Sequence, residues 1–149
     1  MKQGVQILVV DDEVTVRRAL KMLLEHEGHE VWLVDGGEAA LESLAQRKFD
    51  LIITDFSMPG MHGDELVARI RKLLPTQPII MATAFAEEFK VFGQPGANID
   101  ALLFKPFGLK ELREAIERVL TQERPDQTSG LLPIIEPPST PDFIPSRKP

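Results

Sequence analysis

The sequence predicts a doubly wound α/β domain, a (βα)5 arrangement in which a five-stranded parallel sheet carries helices on both faces. Two observations lead to this fold class. Short apolar runs rich in β-branched residues alternate along the chain with longer segments whose apolar residues recur three and four positions apart. The run Ile7-Leu8-Val9-Val10 is also apolar on both faces, which is typical of a strand buried between two layers of helices.

Five runs have the length and composition of strands. They span residues 5–10, 30–34, 51–54, 78–83 and 101–104. Because alternating strands and helices joined by short turns form parallel sheets, we expect all five in one sheet, in the order 2-1-3-4-5.

Three segments predict amphipathic helices. Their apolar faces are Val16, Ala19, Leu20, Leu23 and Leu24 in the first, Leu66, Val67, Ile70, Leu73 and Leu74 in the second, and Leu109, Leu112, Ile116, Val119 and Leu120 in the third. The segment after the fourth strand differs. It begins amphipathically at residues 86–92, but Gly93-Gln94-Pro95-Gly96 ends it, so we expect a short helix there.

Composition divides the chain into a domain over residues 1–122 and a tail over residues 123–149. The tail holds seven of the twelve prolines, together with Ser, Thr, Asp and Gly, and we expect it to be extended or disordered. Two apolar patches within it, residues 131–135 and 143–144, exceed what a spacer requires, which leaves docking of the tail open.

Charge and composition exclude several classes of function. The net charge is -6 and basic residues are not clustered, so we expect no nucleic-acid contact by this chain alone. Without cysteine there is no disulfide, thiol nucleophile or cysteine-based zinc site. No apolar run approaches 18 residues, so we expect a cytoplasmic protein without a membrane partner.

Polar residues stand where four of the predicted strands end. They are Asp11 and Asp12 after the first strand, Asp55 after the third, Thr83 at the end of the fourth, and Lys105 after the fifth. Each alone has an ordinary structural explanation, such as a helix cap, a turn or a solvated lysine. Together they share the carboxyl edge of the sheet, which is where open parallel sheets bind their ligands.

The three aspartates of this set predict a metal site. Strands one and three are neighbours in the expected order, so Asp11, Asp12 and Asp55 converge, and like charges that close require a cation. Carboxylate ligands without histidine or cysteine favour Mg²⁺, for which Mn²⁺ should substitute.

These residues lie in sequence blocks that resemble a known family. LVVDDE, LIITDFSMPGMHGDEL, IIMATAF and ALLFKPF are similar to the blocks of response regulator receiver domains of two-component systems, over roughly residues 5–122. The resemblance implies a flavodoxin-like fold. It implies Asp55 as phosphoacceptor, Asp12 as direct metal ligand, Asp11 as ligand through water, and the Ser57 carbonyl as a further ligand.

The resemblance also implies a function and further residue roles. Lys105 and Thr83 would contact the phosphoryl oxygens, and the Lys105–Pro106 bond would be cis. The phosphoryl group would come from a sensor histidine kinase or a phosphotransfer protein, and the signal would pass to a separate protein by conformational change. Such a domain assists its own phosphorylation and dephosphorylation but is not a conventional enzyme, and we expect a single-domain regulator.

Two other functions stay open. One is a pseudo-receiver that binds a protein partner without phosphorylation. It is favoured by Leu102, which stands where many receivers carry Tyr or Phe, although Phe104 faces the same side of the strand. The other is a phosphatase similar to the haloacid dehalogenases, which fits poorly because that class has Asp-x-Asp after strand one, whereas Asp11 and Asp12 are adjacent. With Leu102 in place, phosphorylation-driven dimerisation is not assumed.

Overall fold

A computed structural model describes residues 4–84, 99–121 and 134–135 of the chain, the last pair by backbone alone. The strands are β1 (Gln6–Val10), β2 (Glu30–Val34), β3 (Leu51–Thr54), β4 (Ile79–Thr83), β5 (Ala101–Phe104) and β6 (Ile134–Ile135). The helices are α1 (Val14–His26), α2 (Gly37–Gln46), α3 (Gly63–Leu73) and α4 (Leu109–Thr121). The short helix predicted at 86–92 and its stop at 93–96 lie outside the described residues.

The strands form one parallel sheet in the order β2-β1-β3-β4-β5-β6. This confirms the fold class and the predicted order 2-1-3-4-5, and each predicted strand agrees with the observed one to within one residue. In register, Val10 pairs with both Val34 and Thr54, so β1, β2 and β3 end at the same level. The residues that follow these ends are therefore brought to one edge.

The sixth strand was not predicted. Ile134 and Ile135 lie beside Leu102 and Leu103 of β5, parallel to them. Of the predicted tail, these are the two residues that the structure describes, and both are in a strand. The sequence identified their segment as unusually apolar but offered no partner for it.

Two separate apolar cores lie on opposite faces of the sheet, since successive strand residues point to opposite sides. On the face covered by α2 and α3, the buried residues include Leu8, Val10, Ala40, Ile52, Phe56, Leu66, Ile70, Met81 and Leu102. On the face covered by α1 and α4, they include Ile7, Val9, Leu20, Leu24, Ile53, Ile80, Leu103, Leu112 and Ile116. Both faces of the sheet are thus buried from solvent, as is expected for a doubly wound fold.

Charges and caps agree with the helix directions. α3 has Asp64 and Glu65 in its first turn and Arg71 and Lys72 in its last, the arrangement that the helix dipole favours. At the start of α4 the Gly108 amide donates to Oε1 of Glu111 (2.9 Å), the reach-back half of a capping box. Within residues 4–84 and 99–121, no helix is both long and apolar enough to cross a membrane.

The single tryptophan, Trp32, lies in the middle of β2. Trp32 packs edge-on against Phe49 with ring centroids 5.5 Å apart, and the Arg47 guanidinium lies 4.0 Å from the centre of its ring. This cation–π contact closes the corner between α2 and β3. Arg47 and Phe49 precede β3, so they lie toward the amino end of the sheet, whereas Asp11 and Asp55 follow the carboxyl ends of β1 and β3.

Candidate functional site

Three carboxylates meet at the carboxyl edge of the sheet. Asp11 follows Val10 of β1 and Asp55 follows Thr54 of β3, and Val10 and Thr54 are partners in register. One oxygen from each of Asp11, Asp12 and Asp55 lies within 4.8 Å of the others. Asp11 and Asp55 are buried, with 2% and 8% of their surface exposed, whereas Asp12 is exposed.

Asp11 is bonded through every polar atom it has. Its amide donates to the Val34 carbonyl (3.2 Å), which ties the end of β1 to the end of β2. Its Oδ1 accepts from the Glu13 amide (2.9 Å) and its Oδ2 from Nζ of Lys105 (2.8 Å). Its carbonyl accepts from the Arg17 guanidinium (2.8 Å). Both carboxylate oxygens of Asp11 therefore have a hydrogen-bond partner within the protein.

Arg17 was missed by sequence reasoning. It lies within α1 and reaches back over the first turn of that helix to the Asp11 carbonyl. A guanidinium held there fixes the loop that carries Asp11 and Asp12. The sequence signal, an arginine six residues after the first aspartate, does not distinguish this contact from an ordinary exposed helix charge.

Asp55 is held by three hydrogen bonds, one to β1 and two within its own segment. Its amide donates to the Val10 carbonyl (2.9 Å) and its Oδ1 accepts from the Phe56 amide (2.9 Å). The Thr54 hydroxyl donates to the Asp55 carbonyl (3.0 Å). The carboxylate is therefore positioned by buried backbone, with one oxygen partly engaged.

Burial raises the pKa of Asp55 from 3.8 to about 6, because the charged form loses solvation. The positive charge of Lys105 lowers this pKa, and the negative charges of Asp11 and Asp12 raise it. At pH 7 the carboxylate is still mostly ionised. A bound cation would add a further charge that favours the ionised form.

Lys105 brings the positive charge of the site. Its Nζ lies 2.8 Å from Oδ2 of Asp11 and 3.6 Å from Oδ1 of Asp55, and its side chain is 18% exposed. Its amide donates to the Thr83 carbonyl (2.8 Å), so the ends of β4 and β5 are joined. The Lys105–Pro106 bond is cis, as the resemblance implies.

The loop after Asp55 folds tightly against it. Gly60 has φ 85°, a conformation that side chains disfavour, and the Gly63 amide donates to the Phe56 carbonyl (2.7 Å). A Cβ on Gly63 would lie 2.3 Å from the Asp55 carbonyl oxygen. The start of α3 therefore touches the Asp55 backbone. Ser57, half-buried, lies in this loop.

Thr83 ends β4 at the same edge, but it is fully buried. Leu102 is 4% exposed and packs in the same core cluster as Phe104, which confirms that the two face one side of β5. The position that is aromatic in many receivers is filled here by an aliphatic core residue.

Comparison with known proteins assigns the chain to a family. The family model described as response regulator receiver domain matches residues 7–117 of the chain. Chemotaxis protein CheY-3 of Vibrio cholerae is 34% identical over 122 residues, which are 80% of this chain and 94% of CheY-3. The solved structure of response regulator TrrA from Thermotoga maritima, in complex with Mg²⁺ and BeF, has a TM-score of 0.71 at 36% identity and covers 77% of this chain and 98% of TrrA.

The chain belongs to the response regulator receiver domain family, whose members are signalling domains of two-component systems. It is also similar to transcriptional regulatory protein ResD of Bacillus subtilis, 38% identical over 124 residues. That match takes in 83% of this chain but 50% of ResD. Relatives thus include both proteins of similar length and proteins about twice as long as the matched segment.

Proposed function

We propose that this receiver domain accepts a phosphoryl group on Asp55 from a sensor histidine kinase or a phosphotransfer protein. The observation that carries the proposal is the convergence of three carboxylates within 4.8 Å, with Lys105 Nζ 3.6 Å from Asp55 Oδ1. An ionised carboxylate needs no general base to attack phosphorus. The buried, positioned Asp55 is the member of the set best placed to do so.

The donor set fits Mg²⁺, and Mn²⁺ by the same chemistry. We assign Asp12 as direct ligand, Asp11 as ligand through water, and Asp55 and the Ser57 carbonyl as the remaining protein ligands. Oxygen donors of this kind, with room for water, suit a small hard cation that keeps part of its hydration shell. When bound, the metal supplies positive charge that offsets the charge on the phosphoryl oxygens.

The chain's own residues carry the transfer step. An Asp55 carboxylate oxygen forms a bond to phosphorus while the bond between phosphorus and the donor breaks, and the donor leaves with its electron pair. Lys105, already between Asp11 and Asp55, stabilises the charge on the equatorial oxygens. Thr83 contributes its hydroxyl after it turns toward the phosphoryl group.

The charge of the site supports its use as a switch. Three carboxylates carry -3, and a divalent cation with Lys105 carries +3, so the site is near neutral before phosphorylation. A phosphoryl group adds negative charge that draws Lys105 and Thr83 inward. Leu102 stands where many receivers carry an aromatic residue that moves when the threonine moves. We assign the corresponding movement here to Phe104 or to the ends of β4 and β5.

The test is incubation with Mg²⁺ and acetyl phosphate, followed by intact mass measurement. We expect the wild type to gain one phosphoryl mass with release of acetate, and Asp55→Asn to gain none. Asp35→Asn is the matched control, because Asp35 is exposed and follows β2 at the same edge of the sheet. Equal labelling of Asp55→Asn and wild type would exclude Asp55 as the acceptor.

A pseudo-receiver is the second candidate, favoured by the buried Leu102 at the family's aromatic position. Such a module would bind its partner with Asp55 unmodified. The acetyl phosphate experiment separates the two, since a pseudo-receiver gains no mass in either protein. The complete acidic set with Lys105 in contact supports the first candidate.

Partners and location follow from the same reasoning. We propose that the domain passes its signal to a separate downstream protein. We also propose that this chain does not itself contact nucleic acid, because its net charge is negative. A cysteine-free chain suits the cytoplasm. The activity and partners of the whole protein are also proposals, since relatives such as ResD are about twice as long as the matched segment.

A further inference from the structure

The outer edge of β5 is covered by the chain's own tail. β5 would end the sheet on this side, and a strand at an edge presents unpaired amides and carbonyls. Ile134 and Ile135 lie parallel to Leu102 and Leu103 and so occupy this edge. Two consecutive isoleucines favour extended backbone because both are β-branched.

Prolines flank the two residues in the sequence: Pro133 directly precedes Ile134, and Glu136 separates Ile135 from Pro137. Proline has no amide with which to extend a ladder. A two-residue strand makes few hydrogen bonds, so its pairing is the weakest in the sheet. A small change in β5 is therefore enough to alter it.

The hydrogen-bond pattern of β5 shows which of its backbone amides point toward β6. The Lys105 amide donates to Thr83 of β4 (2.8 Å). Because successive amides along a strand point to opposite neighbours, the Leu103 amide also points to β4. The amides of Leu102 and Phe104 point the other way, toward β6.

The same strand leads directly into the acidic site. Phe104 is the last residue of β5, and Lys105 follows it with its Nζ between Asp11 and Asp55. One residue thus separates the covered segment from the lysine that senses the charge at Asp55. A displacement of the Lys105 backbone would therefore be passed directly to the end of β5.

We propose that residues 134–135 are a cis-acting cover of the β5 edge, held while Asp55 is unmodified and released when Asp55 carries a phosphoryl group. This inference rests on the proposed function of Asp55. The link between the two is β5 itself, which pairs with Ile134 and Ile135 at Leu102 and Leu103 and leads into Lys105 beside Asp55. By linkage, whatever favours the phosphorylated geometry disfavours the cover.

The first test asks whether the cover exists in solution. Amide hydrogen exchange is followed by NMR in the full chain, in Ile134→Pro/Ile135→Pro, and in Phe143→Pro/Ile144→Pro, which introduces two prolines at another apolar pair of the tail. We expect Leu102 and Phe104 to exchange about tenfold faster in the double variant, and Leu103 to be unchanged. Unchanged protection of Ile53, in the centre of the sheet, shows that the variant is folded. Equal exchange at Leu102 and Phe104 in all three proteins overturns the cover.

The second test asks whether the cover is linked to Asp55. Mg²⁺ with beryllofluoride, a stand-in for the phosphoryl group, is added to the wild type and to Asp55→Asn. We expect faster exchange at Leu102 and Phe104 in the wild type alone. If acetyl phosphate labels Asp55 but these amides do not respond, the linkage is overturned and the proposed function stands. If Asp55 takes no phosphoryl mass, the proposed function and the linkage both fail, and the first test still decides the cover.

Discussion

Asp55 is a buried carboxylate beside two others, and its ionisation opposes folding when no metal is present. Its pKa in the folded chain is about 6 against an ordinary 3.8, so the folded state binds the proton more tightly than the unfolded state. The stability of the metal-free protein should therefore fall as pH rises from about 4 to about 6 through this group. Above that range the full penalty remains.

Asp55→Asn should remove this penalty. In metal-free buffer at pH 8 we expect the variant to be more stable than the wild type by about 2 kcal/mol, after allowance for solvent screening, and the gain should vanish near pH 4. Asparagine keeps an oxygen that can accept from the Phe56 amide. Urea unfolding at several pH values measures the difference.

The matched control for this experiment is Asp35→Asn, at an exposed aspartate. It should leave the pH dependence of stability unchanged. A gain in Asp55→Asn that is the same at pH 4 and pH 8 would contradict an origin in the ionisation of Asp55.

Lys105→Met should slow phosphorylation while keeping the length of the side chain. The change removes the one cation seen between Asp11 and Asp55, so we expect labelling by acetyl phosphate at saturating Mg²⁺ to slow by about 100-fold. It should also raise the Asp55 pKa above about 6, because Lys105 lowers it in the wild type. A mass time course and an NMR titration measure the two effects.

Lys110→Met serves as control, since Lys110 is exposed on the first turn of α4. Its labelling rate should match that of the wild type. If Lys105→Met labels at the wild-type rate, Lys105 does not stabilise the transferring group.

At the scale of elements, the join between β3 and α3 depends on the absence of a side chain at Gly63. In Gly63→Ala the new Cβ would lie 2.3 Å from the Asp55 carbonyl oxygen, so the start of α3 or the Asp55 segment must move. We expect a loss of about 2 kcal/mol in the free energy of unfolding, together with slower phosphorylation of the displaced Asp55. Urea unfolding and the mass assay measure these.

Gly36→Ala is the control for the same substitution. Gly36 precedes α2, has no positive φ, and a Cβ there would have no heavy atom within 4 Å. We expect little change in stability. A similar loss in both variants would show that general helix-start effects, and not the contact with Asp55, explain Gly63.

For the whole molecule, metal binding should be coupled to folding, because the three carboxylates come together only in the folded sheet. We expect Mg²⁺ at 100 times its dissociation constant to stabilise the wild type by about 2.7 kcal/mol. Thermal unfolding with and without Mg²⁺ measures this. Asp12→Asn should abolish most of the gain and Asp64→Asn, on α3, none of it. An equal gain in all three proteins would place the metal elsewhere.

The sequence predicted the five-stranded core well, because strand runs such as Leu51-Ile52-Ile53 are apolar throughout and are bounded by abrupt changes to polar residues. It also predicted which residues stand at the strand ends, and the structure brings Asp11, Asp12, Asp55 and Lys105 together. Their roles in binding and transfer stay predictions.

Other features depend on three-dimensional neighbours and carry no local signal. The reach of Arg17 to the Asp11 carbonyl, the raised pKa of Asp55 and the pairing of residues 134–135 with β5 all arise from segments that meet only in the fold. A two-residue apolar run has no periodicity from which a partner could be inferred.

Trp32 makes fluorescence a selective probe of this protein. As the single tryptophan, it is the source of the tryptophan emission, and that emission reports the corner where it meets Arg47 and Phe49. Unfolding separates Trp32 from Arg47 and Phe49 and should change the emission strongly. Each stability measurement above can therefore be made without a label. Asp11 and Asp55 follow the carboxyl ends of their strands, whereas Arg47 and Phe49 precede β3, so the proposed binding of metal and phosphoryl group should change the emission much less than unfolding does.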